Sequence, residues 1–307
     1  MTLALSSVLS LPTPELPRRV LGKTNIAVSP LGLGAAPLGD PALTDAAATR
    51  LVHASLAFGL KVFDTAPSYG ASEKRLGRAL KGRRSGAVVV TKGGYGVPGV
   101  PDWTPEAIEG GIDRALQVLA TDYLDVFLLH SCDRERLSRG DLLEPLYRAK
   151  SAGKVRAIGY SGDGAALAWA ATHDEFDVIE CSVSFIDQAA LTRSIPNAVR
   201  RGMGVIAKRP LANAPWTYLE RPTREDVATY WDRMKTFFPS GTSELMMDEL
   251  AVRFAAYAEG VDCAVLGTRH PHHVERALQC LARGPLPRPL LTCLRAHYER
   301  EDWPGVV

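Results

Sequence analysis

Four ionisable side chains stand at or just past the ends of three apolar runs: Asp64 and Tyr69 in VFDTAPSYG over 62–70, Lys92 closing VVVTK over 88–92, and His130 closing VFLLH over 126–130. Each run reads as a buried strand, so each delivers a polar group where ordinary surface is not expected. A free phenol has a pKa of about 10 and needs a neighbouring cation to exchange its proton near neutrality. Lys92 is the candidate cation, and Asp64 is the counter-charge that keeps a buried ammonium protonated. The imidazole of His130 can donate or accept a hydrogen bond at a substrate oxygen. These are the parts of a proton-transfer site in which Tyr69 is the acid and base. Taken singly, each residue has a plainer account: Asp64 can cap the following turn, Tyr69 can pack a loop, Lys92 can be solvated, and His130 can be a satisfied core histidine. Their coincidence at one end of three consecutive strands is what favours chemistry.

The elements that would position them alternate in a regular way. Strand-like runs occur at 31–35, 61–65, 87–91, 123–129, 155–160, 177–182, 204–208 and 263–266, each separated from the next by a helical pattern. Thr44 is a fair N-cap with Gly59 past the far end of its helix, and Thr104-Pro105 places proline at a first helical position. Most of the strands are apolar throughout, as parallel strands covered on both faces must be. The pattern predicts an α/β fold, a closed (β/α)8 TIM barrel, with a small β-hairpin before it over 18–29. Residues 1–17, with three prolines, read as a loose leader, and 18–307 as one domain. An open doubly wound sheet is the alternative, but GLG at 32–34 continues as AAP and does not complete a dinucleotide-binding glycine pattern. A long insertion follows strand seven, between Lys208 and a helix expected near Ser243, far longer than an ordinary connection. Its aromatics, Trp216, Tyr218, Tyr230, Trp231, Phe237 and Phe238, either roof a pocket or pack a small helix over 224–236 onto the barrel. Trp103, Trp216 and Trp231 are the candidate substrate-pocket residues.

Composition narrows the partners. The net charge is +2, from 36 basic and 34 acidic residues with both signs interspersed, which offers no field for a nucleic-acid backbone or an anionic membrane. A small-molecule substrate is expected instead. The five cysteines are scattered without a Cys-x-x-Cys pair and read as buried thiols of a reducing compartment. With no basic signal region and no apolar stretch of membrane length, a cytoplasmic location is expected. His270, His272 and His273 cluster without a carboxylate or cysteine partner, so no metal is expected.

The chain resembles the aldo-keto reductase family over roughly residues 18–282. The similarity is carried by RVLGKTNIAVSPLGLG (19–34), FDTAPSYGASE (63–73) with Leu76-Gly77, VVTK (89–92), LLH (128–130), GKVRAIGYS (153–161) and LGTR (266–269), in that order. The resemblance implies reversible hydride transfer between a nicotinamide cofactor and a carbonyl or alcohol, with Tyr69 as general acid in reduction, Asp64 and Lys92 setting its acidity, and His130 orienting the carbonyl. It also implies cofactor contacts. Ser161 stands where a serine meets the carboxamide. Gly162 replaces the asparagine often found beside it, and Glu180 replaces a glutamine of the next strand. Lys208, Arg209, Pro210 and Leu211 stand at the pyrophosphate loop. Gly267, Thr268, Arg269 and His273 lead into a helix where barrels commonly hold phosphate. A guanidinium suits an adenosine 2′-phosphate, so NADP(H) is expected, with NAD(H) as the other possibility; the plainer role for Arg269 is a pair with Glu275. Two alternatives stay open: an NAD-linked dehydrogenase of a sugar hemiacetal or pyridoxal-like alcohol, and a nicotinamide-nucleotide-sensing binding subunit in which turnover is incidental.

Overall fold

The computed structural model describes residues 16–237 and 246–306. Most of the expected leader, together with Phe238 and the helix start expected near Ser243, lies outside the described residues.

The chain opens with a two-stranded antiparallel hairpin, β1 (Arg19–Val20) and β2 (Ala27–Val28), around a turn in which Gly22 and Asn25 both take positive φ. Eight parallel strands follow: β3 (Leu31–Gly34), β4 (Val62–Asp64), β5 (Val88–Gly93), β6 (Leu124–His130), β7 (Val155–Ser161), β8 (Val178–Ser182), β9 (Gly204–Lys208) and β10 (Cys263–Gly267). Each pairs with the next and β10 pairs with β3, which closes the barrel. Helices α1 (Asp45–Ala57), α2 (Ser72–Ala79), α3 (Pro105–Leu119), α4 (Arg134–Ser138), α5 (Leu143–Ser151), α6 (Gly164–Ala170), α7 (Ala189–Arg193) and α8 (Ile195–Arg201) separate the strands up to β9. After β9 come α9 (Glu225–Phe237) and α10 (Met247–Ala256), and after β10 come α11 (Pro271–Ala282) and α12 (Arg288–Glu301).

The cap expected at Thr44 forms, Pro105 opens α3 as expected, and Thr104 caps that helix as well. Thr44 and Thr104 accept backbone hydrogen bonds from Ala47 and Ala107 at the starts of α1 and α3. Four of the five thiols, Cys132, Cys181, Cys263 and Cys280, are buried as expected; Cys293 on α12 is exposed instead. No described helix is long and apolar enough to cross a membrane.

The strands are buried on both faces, and their alternation separates two cores. Outward residues such as Phe63, Val89, Phe127 and Ile158 pack beneath the helices. Inward residues Val62, Val88, Val90, Val126, Leu128, Ala157, Val178, Ile206, Cys263 and Val265 form a second cluster, joined from below by Leu21, Ile26 and Val28 of the hairpin. The hairpin is therefore the floor of the barrel. Continuing the two-residue period of the inward set along β4 to β9 reaches Asp64, Lys92, His130, Ser161, Glu180 and Lys208. The two-residue period thus puts a ring of polar side chains inside the barrel at the carboxyl ends of its strands, above an apolar filling.

Candidate active site

Lys92 is the centre of that ring and is 1% exposed. Its ammonium forms an ion pair with Asp64 of β4, donates to the carbonyl oxygen of Thr65 at 3.2 Å, and lies 3.3 Å from Oε1 of Glu180 across the barrel. Ser161 of β7 donates to the same Glu180 oxygen at 3.0 Å. The other oxygen, Glu180 Oε2, is buried and has no hydrogen-bond partner among the described residues. Lys92 Nζ also sits 5.5 Å from the ring centroid of Tyr69, which meets the imidazole of His130 edge-on at 6.1 Å. All four residues of the expected tetrad are therefore at one mouth, brought there by β4, the loop after it, β5 and β6.

Two buried carboxylates share one ammonium, and their proton affinities differ accordingly. Burial, helped by the Glu180 charge, pushes the Asp64 carboxyl up to about 8 against the pull of Lys92. Burial opposes ionisation of Glu180 as well, but Lys92 and then Lys208 outweigh it and hold that carboxyl below the ordinary range. Burial disfavours the charged form of Lys92, yet Asp64 and Glu180 more than compensate and raise its proton affinity. For Tyr69 the Lys92 ammonium is the largest influence and pulls the phenol down. Burial and the two carboxylates together win, so the phenol is pushed up to about 12. The sequence expectation was a phenol made more acidic by Lys92; burial first, then the Asp64 and Glu180 carboxylates, outweigh the ammonium, and the net shift is upward. His130 is lowered to about 3 by burial and then by Lys92, which keeps the imidazole neutral.

One partner of the site was missed. Tyr95, in the loop after β5, places its hydroxyl 2.6 Å from His130 Nδ1 and 2.9 Å from Ser68 Oγ. Its position three residues beyond Lys92 was the available signal. Trp103 packs edge-on against Tyr95 at 5.7 Å and lies so close over Gly94 that a Cβ there would be 2.1 Å from the indole. Trp103 thus belongs to this mouth. Trp216 packs against Phe185 at 6.4 Å, whereas Trp231 donates to the Tyr218 carbonyl at 3.2 Å and lies beneath the Lys235 ammonium at 4.7 Å, both partners within the insertion. Tyr230 is fully buried and donates to Asp187 at 2.7 Å. For Trp231 and Tyr230 the packing account of the insertion is the one observed.

The expected cofactor residues line the next strands in order. Lys208 pairs with Asp163 at 2.8 Å, and Asp163 also accepts from the Ser182 backbone amide at 2.8 Å and its hydroxyl at 3.0 Å. Arg209, at φ 53°, donates to the Val306 carbonyl at 2.9 Å; Pro210 is buried and Leu211 half-buried. Lys208, which ends β9, and Arg209, which follows it, are thus both tied to the protein itself. Gly267 is exposed at the end of β10, and the buried Thr268 hydroxyl lies 2.8 Å from His273 Nδ1. Arg269 does not pair with Glu275. It pairs with Asp40, in the loop after β3, at 2.7 Å, because β10 and β3 close the barrel and bring their loops together.

Close backbone contact fixes Tyr69. A Cβ at Gly39 would stand 1.7 Å from the Tyr69 carbonyl oxygen, so only glycine permits the β3 loop to lie against the Tyr69 loop. Gly39→Ala is expected to cost about 1–3 kcal/mol by overpacking and to lower turnover through displacement of the phenol. Thermal denaturation together with kcat checks it, and an unchanged kcat would show that Tyr69 tolerates the shift. A surface depression of about 650 Å3 beside Lys23, Asp177 and Gly202 lies at the amino ends of β8 and β9, away from this chemistry. Among the described residues no cluster of ligands could hold a metal ion.

Comparison with known proteins agrees with the geometry. The chain is 32% identical over 210 residues to L-galactose dehydrogenase of Arabidopsis thaliana, covering 63% of this chain and 65% of that relative, just under two thirds of its length. It is 26% identical to D-threo-aldose 1-dehydrogenase of a Pseudomonas species, over 80% of this chain and 87% of the relative. The holo form of an aldo-keto reductase from Bacillus halodurans superposes with a TM-score of 0.80 at 24% identity, covering 92% of this chain and 96% of that one, and shares its fold. The family model described as Aldo/keto reductase family matches residues 30–299. With the closed barrel and a match of that length, the chain belongs to the aldo/keto reductase family.

Proposed function

We propose that this protein catalyses reversible hydride transfer between a nicotinamide cofactor and the carbonyl or alcohol carbon of a sugar-like substrate, with Tyr69 as general acid and base. The observation that carries the reading is the Asp64–Lys92 pair set against the Tyr69 ring inside the barrel mouth. When bound, the nicotinamide ring supplies or takes the hydride. The chain's residues do the rest. In the reductive direction Tyr69, protonated at neutral pH, gives its phenolic proton to the carbonyl oxygen; in the oxidative direction the phenolate takes it back. His130 stays neutral and has Nδ1 engaged with Tyr95, which leaves Nε2 for the substrate oxygen. The unpartnered Glu180 Oε2 suits the amino group of the nicotinamide carboxamide, a donor that would satisfy a buried acceptor, and Ser161 stands beside it. The names of the two dehydrogenase relatives, each an enzyme of a sugar, support the substrate class.

Arg269 at the start of α11 is the residue suited to a 2′-phosphate, and NADP(H) is the cofactor that its guanidinium alone would select. A specific observation favours NAD(H). Asp40 neutralises Arg269, and a carboxylate there repels a dianionic phosphate while accepting a ribose hydroxyl. Asp40→Ala is expected to raise the preference for NADPH over NADH by about tenfold, in line with one close charge removed near the surface. Fluorescence titration with the four nucleotides decides it, and an unchanged ratio would make the pair structural. The activity itself is tested by following the reduced-cofactor absorbance with a panel of aldoses and their carbonyl counterparts. No turnover with any of them, despite tight nucleotide binding, would favour a nucleotide-sensing subunit.

A further inference from the structure

The site holds one more buried carboxylate than its ammonium can neutralise. Asp64 is in contact with Lys92, Glu180 stands 3.3 Å from the same nitrogen, and both acids are almost wholly buried, at 4% and 1% exposure. Glu180 Oε2 has no donor group as partner among the described residues, and the Glu180 and Asp64 carboxyls are close enough to share a proton. A glutamine at this strand position would offer an acceptor oxygen of similar geometry without the charge. The charge therefore does something the hydrogen bond alone does not.

We infer that Glu180, as the second carboxylate on Lys92, makes the site select the positively charged oxidised form of the nicotinamide cofactor over the uncharged reduced form, and couples that binding to release of a proton. The inference rests on the nicotinamide reading above. A pyridinium ring brought beside Asp64, Lys92 and Glu180 supplies the missing positive charge, after which both acids can be ionised together. The reduced ring brings no charge and leaves the shared proton in place. The protein then loads with the form of the cofactor that accepts a hydride, as an enzyme oxidising an alcohol or hemiacetal requires.

The other titratable groups facing this triple do not compete for the proton near pH 7. Tyr69, from the loop after β4, is pushed up to about 12; Cys263 of β10 is raised by burial; His130 of β6 is lowered to about 3. Lys208 of β9 is tied to Asp163. Asp64, held up to about 8, is the group left to release a proton when a cation arrives.

The experiment is fluorescence titration of the wild-type chain, Glu180→Gln and Glu180→Asp with NAD+ and NADH, together with calorimetry of the wild type at pH 7 in two buffers of different ionisation enthalpy. The preference for NAD+ over NADH should fall about tenfold in Glu180→Gln and stay within about twofold of wild type in Glu180→Asp. Wild-type binding of NAD+ should release a large fraction of one proton, and binding of NADH none. Equal weakening of both nucleotides in Glu180→Gln, or equal proton changes for both in the wild type, would overturn the inference while leaving the hydride-transfer reading intact. If Glu180→Gln does not fold, the wild-type proton count decides. Failure of NAD+ to bind the wild type would overturn the inference, and failure of all four nicotinamide nucleotides to bind would sink the hydride-transfer reading as well.

Discussion

Replacing Tyr69 with phenylalanine is expected to lower kcat by about 10²–10⁴-fold while leaving nucleotide affinity within a few-fold of wild type. The substitution deletes one hydroxyl and retains the ring that packs edge-on against His130 and over the Lys92 ammonium. What disappears is the proposed proton donor, and no described neighbour is placed to replace it. His130 is neutral with one nitrogen already engaged, and the Tyr95 hydroxyl is held between His130 and Ser68. Steady-state turnover alongside fluorescence titration separates the two effects. Activity within threefold of wild type would move the acid to another residue, and Tyr95→Phe would then be the variant that loses it.

Lys92→Met is expected to be the most damaging single change to the fold. It removes the only cation in contact with Asp64 among the described residues, and leaves Glu180 with Ser161 and the more distant Lys208 field. Breaking a buried pair by deleting one partner costs about 3–5 kcal/mol. Urea denaturation should show a loss of that size at pH 8. The loss should narrow as pH falls: with Lys92 gone both acids have folded pKa values above their unfolded ones, and protonation then favours the folded state. A loss below about 1 kcal/mol at pH 8, or one independent of pH, would mean that the carboxylates are better solvated than their burial indicates. Turnover should vanish as well, since neither the phenol nor Asp64 would retain its partner.

The barrel was legible because its strands are buried on both faces and read as apolar runs. All eight expected runs overlap β3 to β10, and the polar residues that end them are those the two-residue period turns inward. The positions of Asp64, Lys92 and His130 followed from the same signal, whereas Tyr69 stands in the loop after β4. What the sequence concealed are partnerships fixed by closure of the barrel. Arg269 and Asp40 are 229 positions apart and meet only because the last strand pairs with the first. Glu180 could be placed on β8 by pattern, but its approach to Lys92 from three strands away depends on the curvature of the whole sheet. The net rise of the Tyr69 phenol depends first on how deeply the closed barrel buries it and then on both carboxylates, so it was out of reach too. The insertion aromatics were ambiguous because an indole packs equally well on a pocket or on a neighbouring helix, and only contacts such as Trp231 with Tyr218 distinguish the two.

The hairpin beneath the strands has a kinetic consequence. With Leu21, Ile26 and Val28 packed beneath the apolar filling, ligands are expected to reach the polar ring from the carboxyl ends of the strands. Glu180 lies within its strand, whereas Tyr69 stands on the rim loop five positions after Asp64 ends β4. A molecule seated against Glu180 must therefore enter before one that rests on Tyr69, and must leave after it, so traffic through the enzyme is expected to be last in, first out. Product-inhibition patterns would reveal random entry if the floor were not sealed.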